Sequence, residues 1–410
     1  MSEKWIIGAQ LSTSHSSLDT LTLDNVLATV ERVSSAIDLD ILVIGARESP
    51  EIFRGLCAPG RGVDEVVLWH NVLSDIDGME DSDLVVNWRG ERSSGWGGWA
   101  EKEAEVNETF RFVCPNNPVA RAKSLGRLRE LLTRYAFTGA FLDKVRFPSP
   151  ANGLEEVASC FCDHCRSAAK AIDLDLADVA RLFDDRILIL GATQSGGANG
   201  IEPHWLTEFA AANPLLDRFL RFRMDSITSL VAEAHAVVSG LGRRVGADLF
   251  SPGLAPLVGQ DYRGLARYCD WIKPMTYRVA EGPAGLRLEI PALAEGISRM
   301  FGVGEARISE WAARHVPGFD GHTLQMTRDH AVPLPVITAE IGSAVESAHP
   351  VPVYFGLELV RHPGVVDITP ELVGEMVRAG RQANAAGLVI SWDLMHAPMD
   401  GIQALAAETL

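Results

Sequence analysis

Eight short apolar runs, rich in β-branched residues, recur along this chain with helical patterning between them. They cover 5–11, 40–46, 65–73, 139–145, 244–250, 270–277, 351–359 and 387–394. Continuous apolar strands separated by helices describe a parallel sheet covered on both faces. Eight such units predict an α/β fold of the (β/α)8 TIM barrel type, one domain spanning 1–410. Helical patterning falls at 23–36, 119–135, 217–238, 291–301 and 369–385, and 401–408 is expected to be the last helix. The segment 110–116 has strand-like composition, but Pro115 and Pro118 bracket its end, so it reads as loop.

Two connections are too long for ordinary barrel loops. One runs over 74–108 and carries Trp96 and Trp99 between glycines; the other is an insertion over 148–215. Both follow strand ends, which places them on the face where such barrels do their chemistry. The second begins with three cysteines in six residues, Cys160, Cys162 and Cys165, and Cys114 lies upstream. C-x-C-x-x-C is poor spacing for disulfides and good spacing for thiolates converging on one ion, so a structural Zn²⁺ pinning the insertion is expected. A dithiol redox role is the weaker alternative, because such motifs usually pair two cysteines at a helix start.

The chain carries 37 basic against 54 acidic residues, a net charge of −17. Nucleic acid and anionic membranes are therefore not expected partners. The opening Met-Ser-Glu-Lys-Trp-Ile-Ile-Gly lacks a basic region followed by a long apolar stretch, so a cytoplasmic protein is expected. Whether it forms a homo-oligomer is left open.

Side chains alternate along a strand, so the last inward residues can be read off each run. These are Gln10, Asn71, Asp143, Asp248, Lys273, Tyr277, Glu358 and either Trp392 or Asp393. Acids are costly to bury without partners, and several converging on one mouth ask for a reason. Two carboxylates flanking an acetal are what glycoside hydrolysis needs, one protonated and one ionised. Asp143, Asp248 and Glu358 are the candidate catalytic carboxylates. Gln10, Asn71, Arg146, Lys273, Tyr277, Trp392 and Asp393 are candidates for binding a carbohydrate or glycoside substrate. Tryptophans near strand ends suit stacking on sugar rings. Trp271 is expected instead to pack between barrel and helices.

Phe-Leu-Asp-Lys-Val-Arg-Phe-Pro at 141–148 resembles the Leu-Asp-Tyr-Ile-Arg-Tyr-Pro motif of hypothetical barrel glycosidases related to α-amylases and α-galactosidases. Cys-Pro-Asn-Asn-Pro-Val-Ala-Arg at 114–121 matches the segment preceding it there. The cysteine cluster, and Phe-Leu-Arg-Phe-Arg-Met at 219–224, are similar to family 42 β-galactosidases. The first resemblance implies Asp143 as nucleophile with Asp248 as acid. A strand-four and strand-seven arrangement would instead make Glu358 the nucleophile and Asp143 the acid. Family 42 enzymes carry Asn-Glu where this chain has Asp143-Lys144, a departure from their acid/base. Lys144 and Arg146 would then bind an acidic sugar or hold Asp143 ionised. Two alternatives stand beside hydrolysis: a lyase of the aldolase type using a Lys273 Schiff base, and a barrel that binds carbohydrate without turnover.

Overall fold

A computed structural model describes residues 4–14, 21–60, 63–95, 108–184, 213–362 and 364–409. Trp96, Trp99 and Trp205 lie outside them, as do 185–212 of the expected insertion.

The eight expected strands form, all parallel and consecutive around one barrel. They are β1 Ile6–Ser12, β2 Ile41–Gly45, β3 Glu65–Asn71, β4 Gly139–Asp143, β5 Arg244–Phe250, β6 Trp271–Met275, β7 Tyr354–Leu357 and β8 Gly387–Ile390. β1 pairs with both β2 and β8, β8 pairs with β7, and each of β2 to β5 pairs with its successor. The ring closes where Ile272 bridges Val353 and its N–H donates to Pro352 O at 3.1 Å. Residues 110–116 add no strand to this barrel; within them Phe112 and Val113 make isolated bridges to Ser74 and Leu84.

Two apolar cores follow from the alternation of side chains. The larger lies between the strands and the surrounding helices. The smaller fills the barrel interior with Ile41, Val43, Val67, Trp69, Phe141, Trp271, Tyr354 and Val389. Trp271 therefore does not pack between barrel and helices. It points inward, fully buried, and stacks on Phe141 with ring centroids 5.0 Å apart. The indole fits because Gly246 faces it on β5; a Cβ there would meet Trp271 at 2.3 Å. Gly356 does the same for Lys273, whose Cε would meet a Cβ at 3.0 Å.

Helix starts follow cap chemistry. Asn117 and Thr369 cap helices Pro118–Arg134 and Pro370–Gln382, with proline at the first helical position. Helix Pro214–Ser239 begins the same way behind Asn213. The expected helix at 291–301 starts earlier, as Leu286–Phe301, with Pro291 inside it. Helix Leu334–Ala348 has a β-branched, apolar beginning that hides its helical period. No helix among the described residues is long and apolar enough to cross a membrane.

Candidate active site

The strand ends on the C-terminal face of the barrel enclose a cavity. Its wall includes Gln10 from β1, Trp69 from β3, Asp143 from β4, Asp248 from β5 and Met275 from β6. Loops after the strands add Glu108, Phe110, Lys144, Arg146, Tyr277, residues 282–284, Val365 and Trp392.

Asp143 occupies the last position of β4 and is 8% exposed. Its carboxylate accepts from Trp69 Nε1 at 2.9 Å and from the Lys144 backbone N–H at 2.5 Å. Lys144 reaches this geometry with φ of 53°, a left-handed conformation that costs a β-carbon residue about 1 kcal/mol or more. Its buried ammonium bonds Asp75 Oδ2 at 2.7 Å, lies 3.3 Å from Glu108 Oε2, and sits over the Phe110 ring. Lys144 is thus spent on holding the 74–108 connection against β4. Burial works against the Asp75 carboxylate, but the Lys144 charge and bonds from Lys144 and Thr109 hold it well below the usual range.

Asp248 lies beside Lys273 in the β5–β6 register. Lys273 Nζ donates to Gln10 Oε1 at 2.7 Å, Asp248 Oδ2 at 2.9 Å and Tyr277 Oη at 2.7 Å. All three ammonium protons are therefore used. Burial pushes the Asp248 carboxyl up to about 7 against the opposing pull of Lys273, and the Asp143 charge adds to the rise. Asp248 Oδ1 is buried without a hydrogen-bond partner. Two carboxyl groups thus face one cavity in different environments.

Other expected site residues are placed elsewhere. Glu358 is fully buried and absent from the cavity wall. Its carboxylate accepts from the backbone N–H groups of Arg278, Val279 and Ala280 at 2.7–2.8 Å. Asp393 caps the turn Leu394–His396, accepting from Met395 N at 3.1 Å and meeting His396 Nδ1 at 3.0 Å. Asn71 is in register with Asp143 but lines an adjoining polar cavity with Asp75 and Arg127. Gln10, Arg146, Tyr277 and Trp392 do line the site, with Trp392 edge-on to Tyr277 at 6.0 Å. Lys273 stands behind this wall.

Trp69, one of the tryptophans expected near a strand end, lines the cavity and also orients Asp143 through its Nε1. Sequence reasoning left two contributors out. Glu108 joins the wall from a loop with no strand pattern. Glu289 is fully buried and receives Ser149 Oγ at 2.9 Å, Ala151 N at 2.8 Å and Ala284 N at 2.9 Å. It ties the loop after β4 to the loop after β6.

The four cysteines come together as expected. Their Sγ atoms all lie within 4.8 Å of one another, and Cys114 is 3.4 Å from both Cys162 and Cys165. Such distances exclude disulfides and suit a tetrahedral ion, for which a bond of ~2.3 Å implies sulfur edges of about 3.8 Å. Sulfur accepts from Val86 N at 3.3 Å, Asn116 N at 3.4 Å and Asn116 Nδ2 at 3.4 Å. Arg223 is buried nearby; burial lowers its pKa to about 9, while Cys160 and Cys165 favour its charge. The cluster joins the loops after β3 and β4, which also bridge at Asn87 and Ser159.

No protein-family model matches the chain, and no curated protein matches it. Solved structures similar to it include glycoside hydrolases. The PgaB (BpsB) glycoside hydrolase domain from Bordetella bronchiseptica aligns with a TM-score of 0.57 at 13% identity, covering 99% of each chain. The catalytic domain of β-amylase from Paenibacillus polymyxa aligns with a TM-score of 0.51 at 9% identity, covering 97% of this chain and 95% of that one. At these identities the likeness is one of fold.

Proposed function

We propose that this chain is a glycoside hydrolase whose catalytic carboxylates are Asp143 and Asp248. The observation that carries the reading is that both line one cavity at the barrel mouth, walled by Trp69 and Trp392. Donors from Trp69 and the Lys144 backbone fix the orientation of the Asp143 carboxyl at the cavity, placing it to attack an anomeric carbon or to activate water. Asp248, pushed up to about 7, holds a proton near neutrality and donates it to the leaving oxygen. The indole faces offer stacking surface for sugar rings. The barrels of the two solved hydrolases support the reading at the level of fold.

The Schiff-base alternative fares worse, because Lys273 donates to three partners and stands off the cavity wall. Glu358, spent on three backbone N–H groups, is an anchor in this proposal. Cys114, Cys160, Cys162 and Cys165 would hold a structural zinc; four thiolates leave it no open position, so its task is to fix the loops beside the site.

A panel of aryl glycosides and oligosaccharides tests the activity, and the pH profile tests the assignment. An acid that must be protonated supports turnover below its pKa and loses it above. The wild-type rate is therefore expected to fall as pH rises through about 7. Asp248→Asn should remove that limb along with most of the rate. A basic limb that persists unchanged in Asp248→Asn would contradict the assignment.

A further inference from the structure

Arg146 differs from the other cations at this site. Lys144 pairs with Asp75 and Glu108, and Lys273 pairs with Asp248. Arg146 has no carboxylate within ion-pairing distance among the described residues, although it is only 3% exposed. Its Cζ lies over the Phe112 ring at 4.3 Å and over the Phe250 ring at 4.6 Å. Both contacts are within cation–π range and hold the guanidinium in place. Nη1 donates to Phe147 O at 3.0 Å, the single hydrogen bond this side chain makes among the described residues. The side chain lines the cavity. The carboxyls of Glu289, Asp143, Asp248 and Asp75 favour its charge from a distance, but none bonds it, and a buried cation without a bonded anion is costly to keep. A guanidinium fixed in orientation presents a fork that fits a carboxylate with two parallel bonds.

We propose that Arg146 is the receptor for a carboxylate on the substrate, and that the sugar bound here is a hexuronic acid. The inference rests on the hydrolase reading for its substrate class, not for its binding chemistry. Glu108 and Asp143 line other parts of the same cavity and would repel an anion. The substrate carboxylate is therefore tolerated against Arg146 alone, which fixes how the ring lies relative to Asp143.

Binding can be read without turnover. Wild-type protein is titrated calorimetrically, or by ligand-observed NMR, with D-glucuronate and D-galacturonate and with the methyl esters of both. At least one acid should bind ~10-fold or more tighter than its ester, the scale of a charge-assisted bond. Arg146→Gln should abolish the preference, and Arg146→Lys should restore only part of it, because an ammonium lacks the fork. Equal binding of acid and ester overturns the proposal. So does the absence of saturable binding of either acid at millimolar concentration, or a preference that survives in Arg146→Gln. If Arg146→Gln fails to fold, the wild-type comparison decides alone. Acid preference with no glycoside cleaved would overturn the hydrolase reading and leave the carboxylate site standing. Cleavage of neutral glycosides with no acid preference would do the reverse.

Discussion

Three carboxyl groups at the ends of the barrel strands show how one functional group takes different work from its neighbours. Asp143 accepts from one indole and one backbone N–H, and it faces the cavity. Asp248 keeps one oxygen unpartnered. Glu358 gives its oxygens to three successive N–H groups after β6 and has no part in the cavity wall. A glutamine there offers one acceptor oxygen and brings an NH2 toward N–H donors. Glu358→Gln is therefore expected to destabilise the fold by about 1–3 kcal/mol, read from denaturant midpoints. Activity per folded molecule should stay close to wild type, in contrast to Asp248→Asn. A Glu358→Gln protein that melts normally but has lost turnover would make Glu358 a catalytic group.

The elements that build the site were unequally legible in sequence. All eight strands could be read because buried parallel strands are apolar along their whole length, and Asp143, Asp248 and Arg146 could be placed because they end or follow such runs. The direction of Trp271 was missed, since nothing local says that Gly246 leaves room for an indole inside the barrel. Glu108 and Glu289 were missed for a different reason: their partners come from remote loops, so no spacing announces them. The cysteine cluster was legible because three of its four members crowd in sequence as well as in space. Unstripped protein is expected to contain one zinc per chain. Removing it with a chelator, or replacing Cys162 with serine, should loosen the contact between the loops after β3 and β4. Each 1 kcal/mol lost corresponds to roughly 1 °C in a chain of this size, so a structural zinc worth about 10 kcal/mol predicts a drop on the order of 10 °C. Protein that carries no zinc and melts identically with and without chelator would refute the site.

On the scale of the whole molecule, the barrel stores carboxyl groups whose protonation couples to folding. Glu340 is buried, bonds only Gly253 N at 2.8 Å among the described residues, and is pushed up to about 7 by burial. A carboxyl raised in the native state stabilises the fold fully below its unfolded pKa, and that contribution is lost as pH rises through 7. Glutamine keeps the acceptor and removes the titration. Glu340→Gln should therefore match or trail wild type at pH ~5 and gain on it by on the order of 2–3 kcal/mol at pH ~8. Thermal melts at the two pH values check this; a difference independent of pH would place the Glu340 pKa near its ordinary value. The central claim, that the cavity at the barrel mouth hydrolyses a glycosidic bond through Asp143, is tested most directly by steady-state turnover of Asp143→Asn on a glycoside that the wild-type protein cleaves. The substitution keeps the size of the side chain and removes its charge. The account predicts a fall in kcat of ~100-fold or more, with ligand affinity and melting temperature little changed. A variant that turns over at the wild-type rate, or whose activity falls only in step with its folded fraction, would contradict it.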